Sequence, residues 1–154
     1  MDVTLRLHPT LDDALDLAAD LEIYVQECLR DLRDDPPPQG CGERLLRRAL
    51  GSTEGVVLSA HLPEGGGRVG YCVTGPLVDP LAGDQLPMVL ALWVEPEWRR
   101  RGLARALVSG VQQELRARGL TLLAARSGHN DDALISMGER WGFVRSWEVM
   151  IFEE

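Results

Sequence analysis

The sequence predicts a mixed α/β fold, a central β-sheet flanked by about four helices, and three observations carry that expectation. Apolar runs of strand character alternate with runs of helical period. Two apolar runs in the second half, residues 88–94 and 120–125, are each followed by a helical pattern, as in β-α-β crossovers. Clusters of Gly, Pro and Asp separate the runs at short intervals. The predicted order is β-α-α-β-β-β-α-β-α-β, in one domain over residues 1–154.

VTLRL, residues 3–7, alternates as a short strand, and His8-Pro9-Thr10 breaks it. Leu11, Ala14, Leu15, Ala18, Leu21 and Val25 then recur at helical spacing, which predicts a helix to about residue 32. The run Pro36-Pro37-Pro38 excludes helix, and Gly40 and Gly42 make a joint before a second short helix over residues 43–50. GVVLSAHL and GRVGYCVTG are β-rich runs joined by Pro63-Glu64-Gly65-Gly66-Gly67, the composition of an antiparallel hairpin turn. Gly65, Gly67 and Gly70 match G-x-G-x-x-G, but a dinucleotide turn must open a helix and this one enters a strand, so it is set aside.

After a loop over residues 76–87, MVLALWV reads as a central strand buried on both faces and ended by Pro96. The next helix begins near Gly102, carries Leu103, Ala106, Leu107, Gly110, Val111 and Leu115 on one face, and closes at Gly119. LTLLAA, residues 120–125, reads as a second buried strand. A helix follows from Asp131 or Asp132 to Trp141, with Asn130 and the two Asp residues offering cap oxygens. FVRSWEVMIF closes the pattern as a strand whose edge offers a pairing surface for a homodimer.

A net charge of −8 disfavours nucleic acid as a partner, because phosphate neutralisation needs a broad basic face. All 16 basic residues are Arg, which excludes a lysine nucleophile, a Schiff base and a Walker-type phosphate lysine. Cys28, Cys41 and Cys72 are scattered, as are His8, His61 and His129, so neither a disulfide framework nor a metal site is expected. The opening MDVTLRLHPTLDDALD lacks a signal-peptide pattern, and no apolar run approaches the ~20 residues of a membrane span. A cytoplasmic protein without membrane contact is expected.

The stretch Glu95-Pro96-Glu97-Trp98-Arg99-Arg100-Arg101-Gly102-Leu103-Ala104-Arg105 poses a problem of charge. A helix start favours anions, and each misplaced cation there costs about 0.3 to 1 kcal/mol. Three arginines precede this helix, and no Ser, Thr, Asp or Asn is placed to cap it. A buried strand, a Gly turn and an uncapped helix start together form an anion site, with pyrophosphate the obvious ligand. The alternative is a solvated basic turn pairing with Glu95, Glu97 or Glu114.

Arg99-Arg100-Arg101-Gly102-Leu103-Ala104 resembles the Q/R-x-x-G-x-G/A motif of the GNAT superfamily of N-acetyltransferases. The apolar strand before it is similar to that family too, as is NDDALISMGERWGF with its closing Gly142-Phe143. The resemblance implies acetyl-CoA bound where the strand at 88–94 splays from the strand at 120–125. Backbone groups of Leu92, Trp93 and Val94 would hold the pantetheine arm. Arg99, Arg100, Arg101, Gly102, Leu103, Ala104 and Arg105 would form the pyrophosphate turn, and Asn130 would reach the donor from the next helix.

The implied function is direct acetyl transfer to a primary amine of a small molecule or peptide; the alternative is a non-catalytic acyl-CoA sensor. Residues 88–94 and 120–125 contain none of the carboxylates that the family often places there. Gly138, beside Met137, stands where the family often has a proton-donating Tyr. Asp84, before the central strand, and His129, after the second, are the candidate catalytic groups. Glu95 and Cys72 read instead as a strand end and a core residue. Trp93, Trp98, Trp141 and Trp147 read as core, with an aromatic amine pocket as the alternative.

Overall fold

The computed structural model describes residues 2–30, 35–127 and 131–146. Its centre is a five-stranded sheet in the order β1 (Thr4–Leu7), β2 (Val57–His61), β3 (Arg68–Val78), β4 (Gln85–Val94) and β5 (Ala124–Ala125). The first four strands are antiparallel neighbours, and β5 runs parallel to β4 after a helical crossover. The sheet is therefore mixed, as expected. Of the predicted final strand, residues 143–146 are described and are not strand; the rest of it, with the homodimer edge it offers, lies outside the described residues, as do Trp147, His129 and Asn130.

Alternation along the strands divides the core in two. On one face Leu58, Ala60 and Cys72 pack under α4 (Leu103–Ala117), which buries Leu103, Leu107, Val108, Val111 and Leu115. On the other face Val57, Tyr71, Val73 and Ala91 pack under α1 (Leu11–Ala14), α2 (Ala18–Arg30) and α3 (Cys41–Leu50). The helix α5 (Asp132–Arg140) starts at Asp131, whose carboxylate accepts from Leu134 N–H. Among the described residues no helix is long and apolar enough to cross a membrane.

Four sequence expectations change. The stripe through Leu15 is interrupted by a 3-10 turn at Leu15–Leu17; tighter winding turns Leu17 into the core and leaves Leu15 43% exposed. The loop at 76–87 shrinks, because β3 continues to Val78 and pairs it with Gln85. β4 is only half-buried over much of its length, with Ala91 and Val94 its buried positions past Pro87. The expected strand at 120–125 reduces to Ala124–Ala125, and Leu122 is 67% exposed. Both later changes have one cause: β5 covers only Met88 and Val89 of β4.

α4 ends as its sequence foretold. Gly119 takes φ +79°, Leu120 N–H reaches Leu115 O at 2.9 Å, and Gly119 N–H reaches Arg116 O at 2.9 Å.

Candidate active site

Two features of β4 open the sheet. Val73 faces Ala91 while Thr74 faces Val89, so Leu90 is the extra residue of a β-bulge. Gly75 makes this possible: a Cβ there would lie 2.6 Å from Leu90 Cδ1. One residue before the bulge, pairing with β5 ends, since only Met88↔Ala124 and Val89↔Ala125 are matched among the described residues. Glu95 N–H donates to Val69 O at 2.9 Å, which sets the phase of the β3–β4 ladder. With Tyr71 opposite Trp93, that phase turns the Trp93 backbone toward β3 and the Leu92 and Val94 backbones toward the opening. Of the three expected pantetheine contacts, two therefore present backbone to the opening.

Beyond Val94, a 3-10 turn at Pro96–Trp98 leads to Arg99–Gly102. Arg100 holds φ +61° and Gly102 holds φ +81°, left-handed conformations that turn successive amides outward. No side chain caps α4. Among the described residues, the backbone N–H groups of Arg100, Arg101, Gly102, Leu103, Ala104 and Arg105 have no protein acceptor. A Cβ on Gly102 would meet nothing within 4 Å, so the space before the turn is open.

α3 shows what such a start looks like when the protein completes it. Its Gly40 N-cap also has positive φ and no side-chain cap. There Glu22 of α2 supplies the anion, accepting from Gly42 N–H at 2.7 Å and Gly40 N–H at 3.0 Å. Those amides hold the Glu22 carboxyl below its ordinary pKa, Gly42 most strongly. α4 has no equivalent carboxylate among the described residues. Its stability comes from burial instead: five core side chains at about 1.5 to 3 kcal/mol each outweigh about 1 kcal/mol for a lost cap.

The arginine side chains resolve the charge problem differently from the sequence reading. Arg99 turns back, stacks 4.7 Å from the Trp93 ring centroid and donates Nε–H to Val94 O at 2.9 Å. Arg101 lies 5.2 Å from the Trp98 ring centroid. Each such stack is worth about 0.5 to 1 kcal/mol, comparable with the dipole penalty. Among the described residues none of the three pairs with Glu95, Glu97 or Glu114; Glu114 is paired with Arg118.

Beside the opening, α2 and the ends of β3 and β4 line a half-open pocket of about 160 Å³. Tyr24, Tyr71 and Trp93 supply its aromatic wall, and Asp20, Glu27 and Glu95 its carboxylates. Among the described residues its one cation is Arg68, held by Asp16 at 2.8 Å and by Asp20. Burial pushes the Tyr24 hydroxyl up to about 12, helped by Cys28 one turn on and opposed by the Leu92 backbone N–H beside it. Burial likewise raises Tyr71, with Asp20 adding to the effect. Both remain neutral hydroxyls at pH 7.

Apart from Trp93 and Glu95, the residues of this pocket were not legible in the sequence, because α2 and β3 meet only through the tertiary fold. Asp84 sits in the turn at the far end of β3 and β4, its carbonyl accepting from Asp79 N–H at 2.8 Å. Six residues separate it from Leu90, about 20 Å of strand, so the fold does not bring it to the opening. Cys72 is wholly buried and its thiol is pushed up to about 12 by burial, which makes it inert core. Trp98 and Trp141 pack against the α4 core.

The model of the acetyltransferase (GNAT) family matches residues 22–143. A search of curated proteins finds no match. Among solved structures, AAC(6')-Iy, in complex with the bisubstrate analog CoA-S-monomethyl-acetylneamine, is 15% identical with a TM-score of 0.69, covering 100% of this chain and 99% of its own. Aminoglycoside 6'-N-acetyltransferase AAC(6')-Ih from Acinetobacter baumannii is 17% identical with a TM-score of 0.67, covering 99% and 97%. Ribosomal-protein-alanine N-acetyltransferase from Brucella melitensis is 19% identical with a TM-score of 0.64, covering 100% of both chains. At these identities the neighbours establish the fold, and the family match covers most of the chain. The protein belongs to the GNAT family of acetyltransferases, enzymes that use acetyl-CoA as acyl donor.

Proposed function

We propose that this chain, acting as a single domain, transfers the acetyl group of acetyl-CoA directly to a primary amine held in the cavity beneath α2. The contrast between the two Gly-started helices carries the proposal. α3 receives Glu22, and α4, built alike, is left for an anion from outside. In this arrangement the amides from Arg100 to Arg105 hold the diphosphate, and the Leu92 and Val94 backbones hold the pantetheine arm. Arg99 braces the end of β4 through Val94 O. Asn130 has its expected role after β5, in residues outside those described.

In this reading the thioester end lies where β4 and β5 part, at Leu90 and its bulge, next to the acidic, aromatic pocket. Carboxylates of Asp20, Glu27 and Glu95 attract a cationic amine, and the rings of Tyr24, Tyr71 and Trp93 pack against it. Positioning alone is worth on the order of 7 to 11 kcal/mol, so water relaying the amine's proton to these carboxylates suffices for the chemistry. Small amines and peptide amino groups both fit this description.

Calorimetry with acetyl-CoA, followed by thiol release across a panel of polyamines, aminoglycosides and peptide N-termini, tests the proposal. Micromolar binding and release that depends on the amine are expected. Binding without release on any amine would favour a sensor; no binding at millimolar acetyl-CoA would refute the site.

A further inference from the structure

We propose that the Tyr24 hydroxyl, brought by α2 to the Leu92 backbone amide where β4 and β5 part, donates a hydrogen bond to the thioester carbonyl and forms an oxyanion pocket with that amide. The proposal rests on the reading that acetyl-CoA lies along Leu92 and Val94. Three independent placements support it.

First, the β3–β4 ladder directs the Leu92 N–H into the opening and away from Cys72 opposite, leaving it without a strand partner among the described residues. Second, the Tyr24 hydroxyl lies beside that same amide, and its ring shares a pocket wall with Trp93, the residue after Leu92. The hydroxyl therefore stands on the α2 side of β4, at the Leu92 end of the opening. Third, the ring is fixed before any ligand arrives. It meets Tyr71 edge to face at 6.3 Å and 74°, on a helix anchored by buried Leu21 and by Glu22 across to α3. Donors held in place in this way stabilise developing charge without reorganising.

The step balances without a proton from Tyr24. The amine nitrogen attacks the carbonyl carbon, a C–N bond forms, and the π pair moves onto oxygen between the two donors. That pair returns as the C–S bond breaks, and sulfur leaves with its electrons. The nitrogen's proton passes to water, and the thiolate takes one from water. With its pKa pushed up to about 12, the Tyr24 hydroxyl is a weaker acid than a thiol near 8.5, so it keeps its proton and acts as a donor only.

Acetyl-CoA labelled with carbon-13 at the thioester carbonyl provides a readout that needs no acceptor. The carbonyl infrared band of the bound ligand is expected to lie below its free position in the wild type. In Tyr24→Phe, which keeps the ring, the band returns most of the way to the free position, while affinity for coenzyme A stays within about twofold. For any amine that supports thiol release, kcat falls about 100-fold with KM for acetyl-CoA little changed, as for loss of one oxyanion donor. A band at the same frequency in both proteins overturns the role of Tyr24 alone. Failure of the wild type to bind acetyl-CoA overturns the site reading and this proposal together.

Discussion

Gly102 offers the sharpest test of the phosphate turn, since one residue there separates backbone strain from ligand charge. Its φ is +81° and a Cβ would meet nothing within 4 Å, so Gly102→Ala introduces strain without a clash. Left-handed backbone costs an L-residue about 1 to 2 kcal/mol. At this chain length that lowers Tm by roughly 2 to 8 °C. Gly102→Glu carries the same strain and adds a negative charge facing the bound diphosphate. At about 5 Å and an effective dielectric of 20, repulsion from one unit of phosphate charge is about 3 kcal/mol, or about two orders of magnitude in Kd.

Thermal unfolding and acetyl-CoA calorimetry on both variants in 0.1 M salt form the assay. Equal losses in Tm and an acetyl-CoA Kd at least 100-fold weaker for Glu than for Ala are expected. If the two variants bind acetyl-CoA equally, the diphosphate does not lie at this turn.

Other predictions concern the frame that carries Tyr24. Glu22→Gln weakens the tie between α2 and α3. Because the Glu22 carboxyl is held below its ordinary pKa when folded, its contribution is present above the unfolded value near 4.5 and is lost as pH falls through the folded one. Wild type should therefore unfold at higher urea than the variant at pH 7, with the gap closing below about pH 4.5; a gap independent of pH would refute the assignment. Gly42→Ala would put a Cβ 2.2 Å from Ala18 O and 2.6 Å from Glu22 N, forcing α2 and α3 apart. A loss on the order of 3 kcal/mol in urea unfolding is expected, and an unchanged midpoint would show that the two helices do not pack as described.

What the sequence determined by itself is what near neighbours determine. The strand ending at Pro96, the three arginines, the Gly turn and the uncapped helix lie within about ten residues of one another, so the turn and its uncapped helix start were legible from spacing and charge. Gly119 and Asp131 were legible as caps for the same reason. Tertiary structure alone decided everything that needs a partner far along the chain. The bulge at Leu90 exists only against Val73 and Thr74, and the retreat of β5 is visible only in what it fails to cover on β4. Glu22 caps a helix that begins some twenty residues later. Arg99 and Arg101 lie over the rings of Trp93 and Trp98. Tyr24 had no visible role until α2 was laid across β4, since a helical period tells which side of a residue is buried and not which strand lies beneath it.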